Sequence, residues 1–137
     1  MYADDAASQA LGIAIEEVTV GAATMSMTVT DSMVNGHGIA HGGYIFTLAD
    51  TAFAFACNTY DEVTVAQGAE IDFIRPALRG DRLLATALEI HRGRRNGLYE
   101  VRVCREDGTL LAWFRGKSCG LARPILQSSN EEKKPHA

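Results

Sequence analysis

The sequence lacks the features that mark several large classes of protein. No apolar run approaches the roughly 18 residues of a membrane span. The N-terminal region carries Asp4 and Asp5 instead of the basic and then apolar residues of a signal peptide. A formal net charge of −4 provides no attraction to nucleic acid or to an anionic membrane. We therefore expect a cytoplasmic protein that binds neither nucleic acid nor membrane.

Cysteine is scarce, and the usual catalytic serine motif is absent. Cys57, Cys104 and Cys119 cannot all pair and lack the spacing of metal ligands, which favours a reducing compartment. His37 and His41 are four residues apart, but they lie in a glycine-rich stretch with no third ligand nearby, so neither a metal site nor another cofactor is predicted. Without a Gly-x-Ser-x-Gly motif, a serine hydrolase elbow is excluded.

The residues that are present indicate one α+β domain. The chain has 137 residues, 47% of them hydrophobic and 22% charged, which is typical of a single globular domain. Periodicity and glycine-containing turns predict a short helix, a hairpin, one long helix and four further strands. These lie at 3–11, 13–30, 44–57, 63–74, 82–91, 98–104 and 110–118. The domain is expected to span 1–126, and the tail 127–137 is expected to be disordered.

The long predicted helix carries a single charge, Asp50, in a segment that is otherwise almost wholly apolar. Apolar residues cover every side of its helical wheel, so we expect the sheet to curl around it and a dimer partner to cover the remaining side. Aspartate is rarely buried without a partner or a role. His41, Gly42 and Gly43 precede this helix, where backbone N–H groups at a helix N-terminus are open to an anion.

Four short motifs follow one another along the chain. They are NGHGIAHGG (35–43) with LADTA (48–52), IDFIRP (71–76) with GD (80–81), GLYEV (97–101) and FRGKS (114–118). In this order they resemble the hotdog-fold acyl-CoA thioesterases of the phenylacetic acid degradation (PaaI) type. The similarity extends from about Leu11 to Leu121.

The resemblance implies a fold, an assembly, a substrate and a set of site residues. The fold is a six-stranded, mostly antiparallel sheet wrapped around one long central helix, in a homodimer that pairs into a homotetramer. The substrate is an aromatic, phenylacetyl-type acyl-CoA, hydrolysed to free acid and CoA. Asp50 matches the catalytic carboxylate, and Gly42 matches the backbone N–H that polarises the thioester carbonyl. His41 and Asn35 match residues that line the thioester. Further substrate contacts are expected at Gly43, Thr51, Phe73, Arg75, Arg115 and Lys117.

Thioester hydrolysis fits these residues on chemical grounds. It needs a base or nucleophile and donors for the oxyanion, and an ionised Asp50 could deprotonate water or attack the carbonyl to form an anhydride. Gly42 lies eight residues before Asp50, a distance of about 12 Å along one helix. Both cannot reach one carbonyl group, so we expect each site to combine two subunits across a two-fold axis. The partner helix N-terminus would oppose the effect of burial on the pKa, so we expect Asp50 to be ionised at neutral pH.

Other interpretations of the same residues stay open. A hotdog hydratase or dehydratase acting on acyl thioesters pairs a histidine before the helix with a carboxylate within it, which His41 and Asp50 offer. A non-catalytic acyl-CoA-binding module would keep only the pocket, and Asp50 could also cap a backbone group or pair with a buried arginine. The motif at 114–118 and the sequence around Asp50 favour the thioesterase.

Basic side chains near the motifs are candidates for contacts with the phosphates of CoA. They are Arg75, Arg79, Arg115 and Lys117. Strand alternation places Arg115 and Lys117 on one face with Trp113, and Phe114 on the opposite face. Only one of these faces can contact the core.

Overall fold

Residues 1–125, which the computed structural model describes, form one sheet and one long helix. The strands are β1 (Ala14–Thr19), β2 (Ala22–Thr28), β3 (Thr64–Phe73), β4 (Arg82–Arg92), β5 (Asn96–Arg105) and β6 (Leu110–Gly120). The helices are α1 (Ala6–Ala10) and α2 (Gly42–Cys57), with 3-10 turns at Tyr2–Asp4 and Asp31–Met33. No helix in this part of the chain is long and apolar enough to cross a bilayer. The predicted tail 127–137 and the domain end at 126 lie outside the described residues.

The sheet is antiparallel throughout, in the order β1-β2-β4-β5-β6-β3. All six strands contact α2. Strands lie about 4.8 Å apart and a helix is about 10 Å across, so a flat six-stranded sheet could not place every strand against one helix. The sheet must therefore curve around α2. The predicted α+β arrangement, with one helix wrapped in a six-stranded sheet, is confirmed.

Element boundaries differ from the sequence prediction by about one turn or less. Helix α2 begins at Gly42 rather than after Gly43. Glycine has a low helix propensity, so the sequence predicts loop at these two residues, but tertiary packing makes them helical. Strand β5 begins two residues earlier than predicted, where Asn96 and Gly97 look like turn residues but pair with β6. The hairpin turn of β1 and β2 has Gly21 at φ +73°, a conformation that glycine adopts without strain.

Strand β6 shows the predicted alternation. Phe114 and Gly116 face α2 and are buried, whereas Trp113, Arg115 and Lys117 lie on the outer face of the sheet. A side chain at position 116 would meet the ring of Phe53 from α2, whose carbon atoms lie 2.8–2.9 Å from an ideal Cβ. Glycine at this position lets the helix approach the sheet closely.

Helix α2 is not enclosed on all sides. Its buried side chains pack into the core, but Gly43, Thr47, Asp50 and Ala54 form a stripe that is at least partly exposed. Their spacing of three to four residues puts them on one side of the helix. Three of the four are small enough to let a second helix approach closely.

Candidate active site

A short hairpin-like loop delivers the chain to the N-terminus of α2. The Asn35 N–H donates to the carbonyl of Ile39 at 2.9 Å. The Asn35 side-chain oxygen accepts the N–H groups of His37 at 2.9 Å and Ile39 at 3.1 Å. Asn35, which is predicted to line the thioester, therefore holds the loop in the described chain. His37 takes part through its backbone.

The N-terminus of α2 presents open donors. His41 is the N-cap residue, with φ −63° and ψ 139°, and its exposed side chain makes no capping hydrogen bond. Within residues 1–125 the N–H groups of Gly42 and Gly43 have no hydrogen-bond acceptor. Unsatisfied N–H groups and the helix dipole make this end of α2 suitable for an oxyanion.

A groove of about 380 Å³ lies beside this helix end. It brings together three of the predicted site residues, Gly42, Phe73 and Arg75, with apolar side chains that include Ile45 and Ile74. The Phe73 ring lies over Gly42, with its nearest carbon 2.8 Å from an ideal Cβ at that position, and the side chain is 54% exposed. Glycine at position 42 therefore leaves room for an aromatic ring against the first residue of the helix.

Asp50 lies midway along α2 and is partly buried. Burial raises the pKa of its carboxyl above the ordinary value of 3.8, and the negative charge of Asp5 raises this pKa further. No hydrogen bond or cation in the described chain contributes to the pKa of this carboxyl. A carboxylate without a structural partner is free to act on a ligand.

Asp5, Ser8 and Thr51 form a polar cluster beside Asp50 that the sequence did not predict. Thr51, predicted to contact substrate, is buried, and its hydroxyl donates to the carbonyl of Thr47 at 2.7 Å. The Thr51 oxygen also lies 3.2 Å from the hydroxyl of Ser8 in α1, and Ser8 bonds to Asp5. The spacing of Asp5 and Ser8 is a helix-capping signal that sequence analysis can detect. Its position against α2 is a long-range contact that local pattern does not reveal.

The predicted basic residues do not all reach the same place. Arg115 lies on the outer face of the sheet, 2.8 Å from Glu70 and 3.7 Å from Asp72, with its guanidinium over the Trp113 ring. Lys117 lines the same outer cleft, which has a volume of about 550 Å³. The sheet separates this cleft from α2. Arg79 forms an ion pair with Asp31 at 2.9 Å, and Arg75 lines the groove beside the helix N-terminus.

Comparisons with known proteins identify relatives over most of the chain. The sequence model of the thioesterase superfamily matches residues 37–112. Acyl-coenzyme A thioesterase PaaI of Escherichia coli K12 is 48% identical over 118 residues, which is 86% of this chain and 84% of that protein. The structure of the E. coli PaaI protein from the phenylacetic acid degradation operon superposes with a TM-score of 0.88 at 45% identity, covering 90% of each chain. The TT0310 protein of Thermus thermophilus gives a TM-score of 0.81 at 38% identity, covering 85% of this chain and 98% of that one.

Proposed function

The chain belongs to the thioesterase superfamily and is a thioester hydrolase with the hotdog fold, and we propose that it hydrolyses aromatic acyl-CoA thioesters at a site shared by two subunits. Asp50 acts as base or nucleophile, and the N–H of Gly42 polarises the thioester carbonyl. The observation that carries the proposal is a carboxylate in the middle of an apolar helix that has no partner among residues 1–125. The name of the E. coli relative supports acyl-CoA as the substrate class.

The chemistry requires an ionised Asp50. In its ionised form it either removes a proton from water as the water attacks the carbonyl and the CoA thiolate leaves, or attacks the carbonyl itself and expels the CoA thiolate. The second route forms an anhydride, which water then hydrolyses to the free acid and the regenerated carboxylate. The raised pKa makes the carboxylate a stronger base once it is ionised. The N-terminus of the partner helix stabilises the same negative charge and keeps the carboxylate ionised at neutral pH.

The shared site follows from distance and surface. Gly42 and Asp50 are separated by eight helical residues, or about 12 Å. The partly exposed stripe Gly43, Thr47, Asp50 and Ala54 allows two α2 helices to pack antiparallel. In that packing the N-terminus of each helix approaches Asp50 of the other. His41 then lies beside the thioester, at the mouth of each site.

Phe73 supports an aromatic acyl group. Its half-exposed ring lies over Gly42 in an apolar groove, where it can stack on, or meet edge to face, an aryl group whose carbonyl reaches the helix N-terminus. Arg75 lines the same groove and is our first candidate for the phosphates of CoA. Arg115 and Lys117 would contact CoA only if its nucleotide extended to the outer face of the sheet.

The proposal includes the assembly and the compartment. Leu88, Ile90 and Leu98 are exposed apolar side chains on the outer face of the sheet, and apolar exposure of this kind supports pairing of dimers into a homotetramer. The three cysteines are free, which supports a cytoplasmic location.

Thiol release from a panel of acyl-CoAs tests the proposal. We expect the protein to release CoA faster from phenylacetyl-CoA than from hexanoyl-CoA, and Asp50→Asn and Asp50→Ala to abolish release while the dimer persists. Asp107→Asn is the matched control, because Asp107 is exposed in the turn between β5 and β6 and its turn hydrogen bond to Thr109 can be kept by asparagine. Near-normal turnover by either Asp50 variant would exclude the catalytic role. Conversion of an enoyl-CoA without thiol release would indicate a hydratase, and binding without turnover a binding module.

A further inference from the structure

We propose that Asp5, held against α2 by Ser8 and Thr51, is a positioning residue that acts on Asp50 through space and sets the acid limit of the pH range in which the enzyme works. The inference rests on the proposed function of Asp50. It assigns a role to α1, the short helix near the N-terminus, which lies outside the residues that the thioesterase superfamily model matches.

The carboxylate of Asp5 is fixed by two hydrogen bonds. One oxygen accepts the backbone N–H of Ser8 at 3.0 Å, and the other accepts the Ser8 hydroxyl at 2.6 Å. Asp5 is thus the N-cap of α1. Ser8 is 1% exposed, so the pair is clamped between α1 and α2 rather than free in solvent.

The hydroxyl groups of Ser8 and Thr51 connect Asp5 to the residue next to Asp50 in α2. Ser8 lies 3.2 Å from Thr51, and Thr51 directly follows Asp50 in the helix. The Thr51 hydroxyl is itself held by the carbonyl of Thr47, one turn earlier. Each of these contacts is 3.2 Å or shorter, and the Ser8–Thr51 contact is buried, so packing of α1 on α2 restrains the separation of the two carboxylates.

Asp5 is the charged group that acts on Asp50 within residues 1–125. Burial makes the largest contribution to the raised pKa of Asp50, and repulsion from Asp5 is the other. The strands packed against α2 turn mainly apolar side chains toward it. Burial raises the pKa of Cys57 to about 12 and also raises that of Tyr99, so both of these groups on the buried side are neutral at neutral pH. Glu89 of β4 accepts the Tyr99 hydroxyl at 3.1 Å and does not contribute to the pKa of Asp50. No described cation offsets the repulsion.

Such a second carboxylate has a chemical use. A base is most effective when its pKa lies close to the working pH, and the pKa of an ordinary aspartate lies far below neutrality. By disfavouring ionisation of Asp50, Asp5 brings the pKa of the base closer to neutrality. The N-terminus of a partner helix acts in the opposite direction, but it is the same in wild type and in α1 variants.

The pH profile of kcat/KM for phenylacetyl-CoA tests this role. Asp5→Asn removes the charge but keeps an oxygen that can cap Ser8, since asparagine and aspartate are equivalent N-caps. We expect its acid limb to lie at lower pH than that of the wild type. Asp4→Asn is the matched control, because Asp4 is the adjacent, exposed carboxylate and does not contribute to the pKa of Asp50. Its profile should superpose on that of the wild type.

A second readout does not depend on turnover. The carboxyl carbon of Asp50, followed by 13C NMR against pH in the intact protein, should titrate at lower pH in Asp5→Asn and at an unchanged pH in Asp4→Asn. The inference is overturned if Asp5→Asn leaves both midpoints unchanged or raises them, or if Asp4→Asn shifts them equally. If Asp50→Asn is inactive in the same assays, such a result overturns the role of Asp5 alone. If Asp50→Asn is fully active, the proposed function itself fails.

Discussion

Gly42→Pro and Gly42→Ala form a pair of variants that isolates one backbone N–H. Gly42 is the first residue of α2, a position at which proline is favoured because the N–H has no partner in the helix. His41 already has the extended conformation, φ −63° and ψ 139°, that a residue before proline adopts. The Gly42 N–H donates to nothing in the described chain, so proline breaks no hydrogen bond of the subunit. We therefore expect both variants to fold.

The two variants share one steric change at the Phe73 ring. Each adds a Cβ that would lie 2.8 Å from the Phe73 ring. Because Phe73 is 54% exposed, the ring can move aside in both. Proline further replaces the N–H by the Cδ of its ring, and loss of one oxyanion donor lowers kcat by about 10²–10³-fold, or about 2.7–4 kcal/mol. We expect Gly42→Pro to turn over that much more slowly than Gly42→Ala.

The measurement is kcat for thiol release at saturating phenylacetyl-CoA, with circular dichroism to verify that both variants are folded. Any effect of the added Cβ on acyl binding falls on both variants and cancels in the ratio of their kcat values. A folded proline variant that turns over as fast as the alanine variant would refute the role of the Gly42 N–H.

Three further predictions concern the core, the acyl groove and the charge of Asp50. Gly116→Ala drives a Cβ into the ring of Phe53, which is buried between Tyr99 and Phe114, so urea denaturation should show a loss of about 1–3 kcal/mol. Phe73→Leu should lower kcat/KM for phenylacetyl-CoA more than for hexanoyl-CoA, because it removes an aromatic contact and keeps an apolar one. Asp50→Asn should raise the free energy of unfolding at pH 7 and have no effect below pH 3.8, because the folded pKa of Asp50 is raised above that value.

The sign of the last effect follows from proton linkage. A carboxyl whose pKa is higher in the folded state favours folding while it is protonated, and that contribution is lost as the pH rises from 3.8 through the folded pKa. Equal stability of Asp50→Asn and wild type at pH 7 would contradict this linkage argument.

Full stability of Gly116→Ala would contradict the close packing of β6 on α2. An unchanged substrate ratio in Phe73→Leu would remove that ring from acyl recognition.

The fold could be predicted from sequence because its signals are local. The all-apolar helix around Asp50, the alternation in β6 and the glycine-containing turns each depend on neighbouring residues. The motifs then supplied the arrangement of these elements by resemblance. Boundaries at Gly42 and Asn96 were displaced because glycine and asparagine have weak helix and strand propensities, which tertiary packing overrides.

The site was less predictable because its geometry depends on long-range contacts. Asp5 and Ser8 look like an ordinary capping pair, and only packing of α1 on α2 brings them to Thr51. Strand alternation predicted that Arg115 and Phe114 lie on opposite faces of the sheet. It could not predict that Arg115 pairs with Glu70 across the β3–β6 pairing. Whether a charged side chain meets a ligand or another side chain is decided by partners far away in sequence.

Subunit complementation tests the shared site most directly. Each shared site takes Asp50 from one subunit and Gly42 from the other. In a mixed dimer of Asp50→Ala and Gly42→Pro subunits, one site therefore contains both substitutions and the other contains neither, so one intact site is restored. With random mixing half of the dimers are mixed, and roughly one quarter of the wild-type activity should return. If each site were built within one subunit, every site would keep a defect. Activity that stays at the level of the two inactive parents, although mixed dimers have formed, would contradict the account.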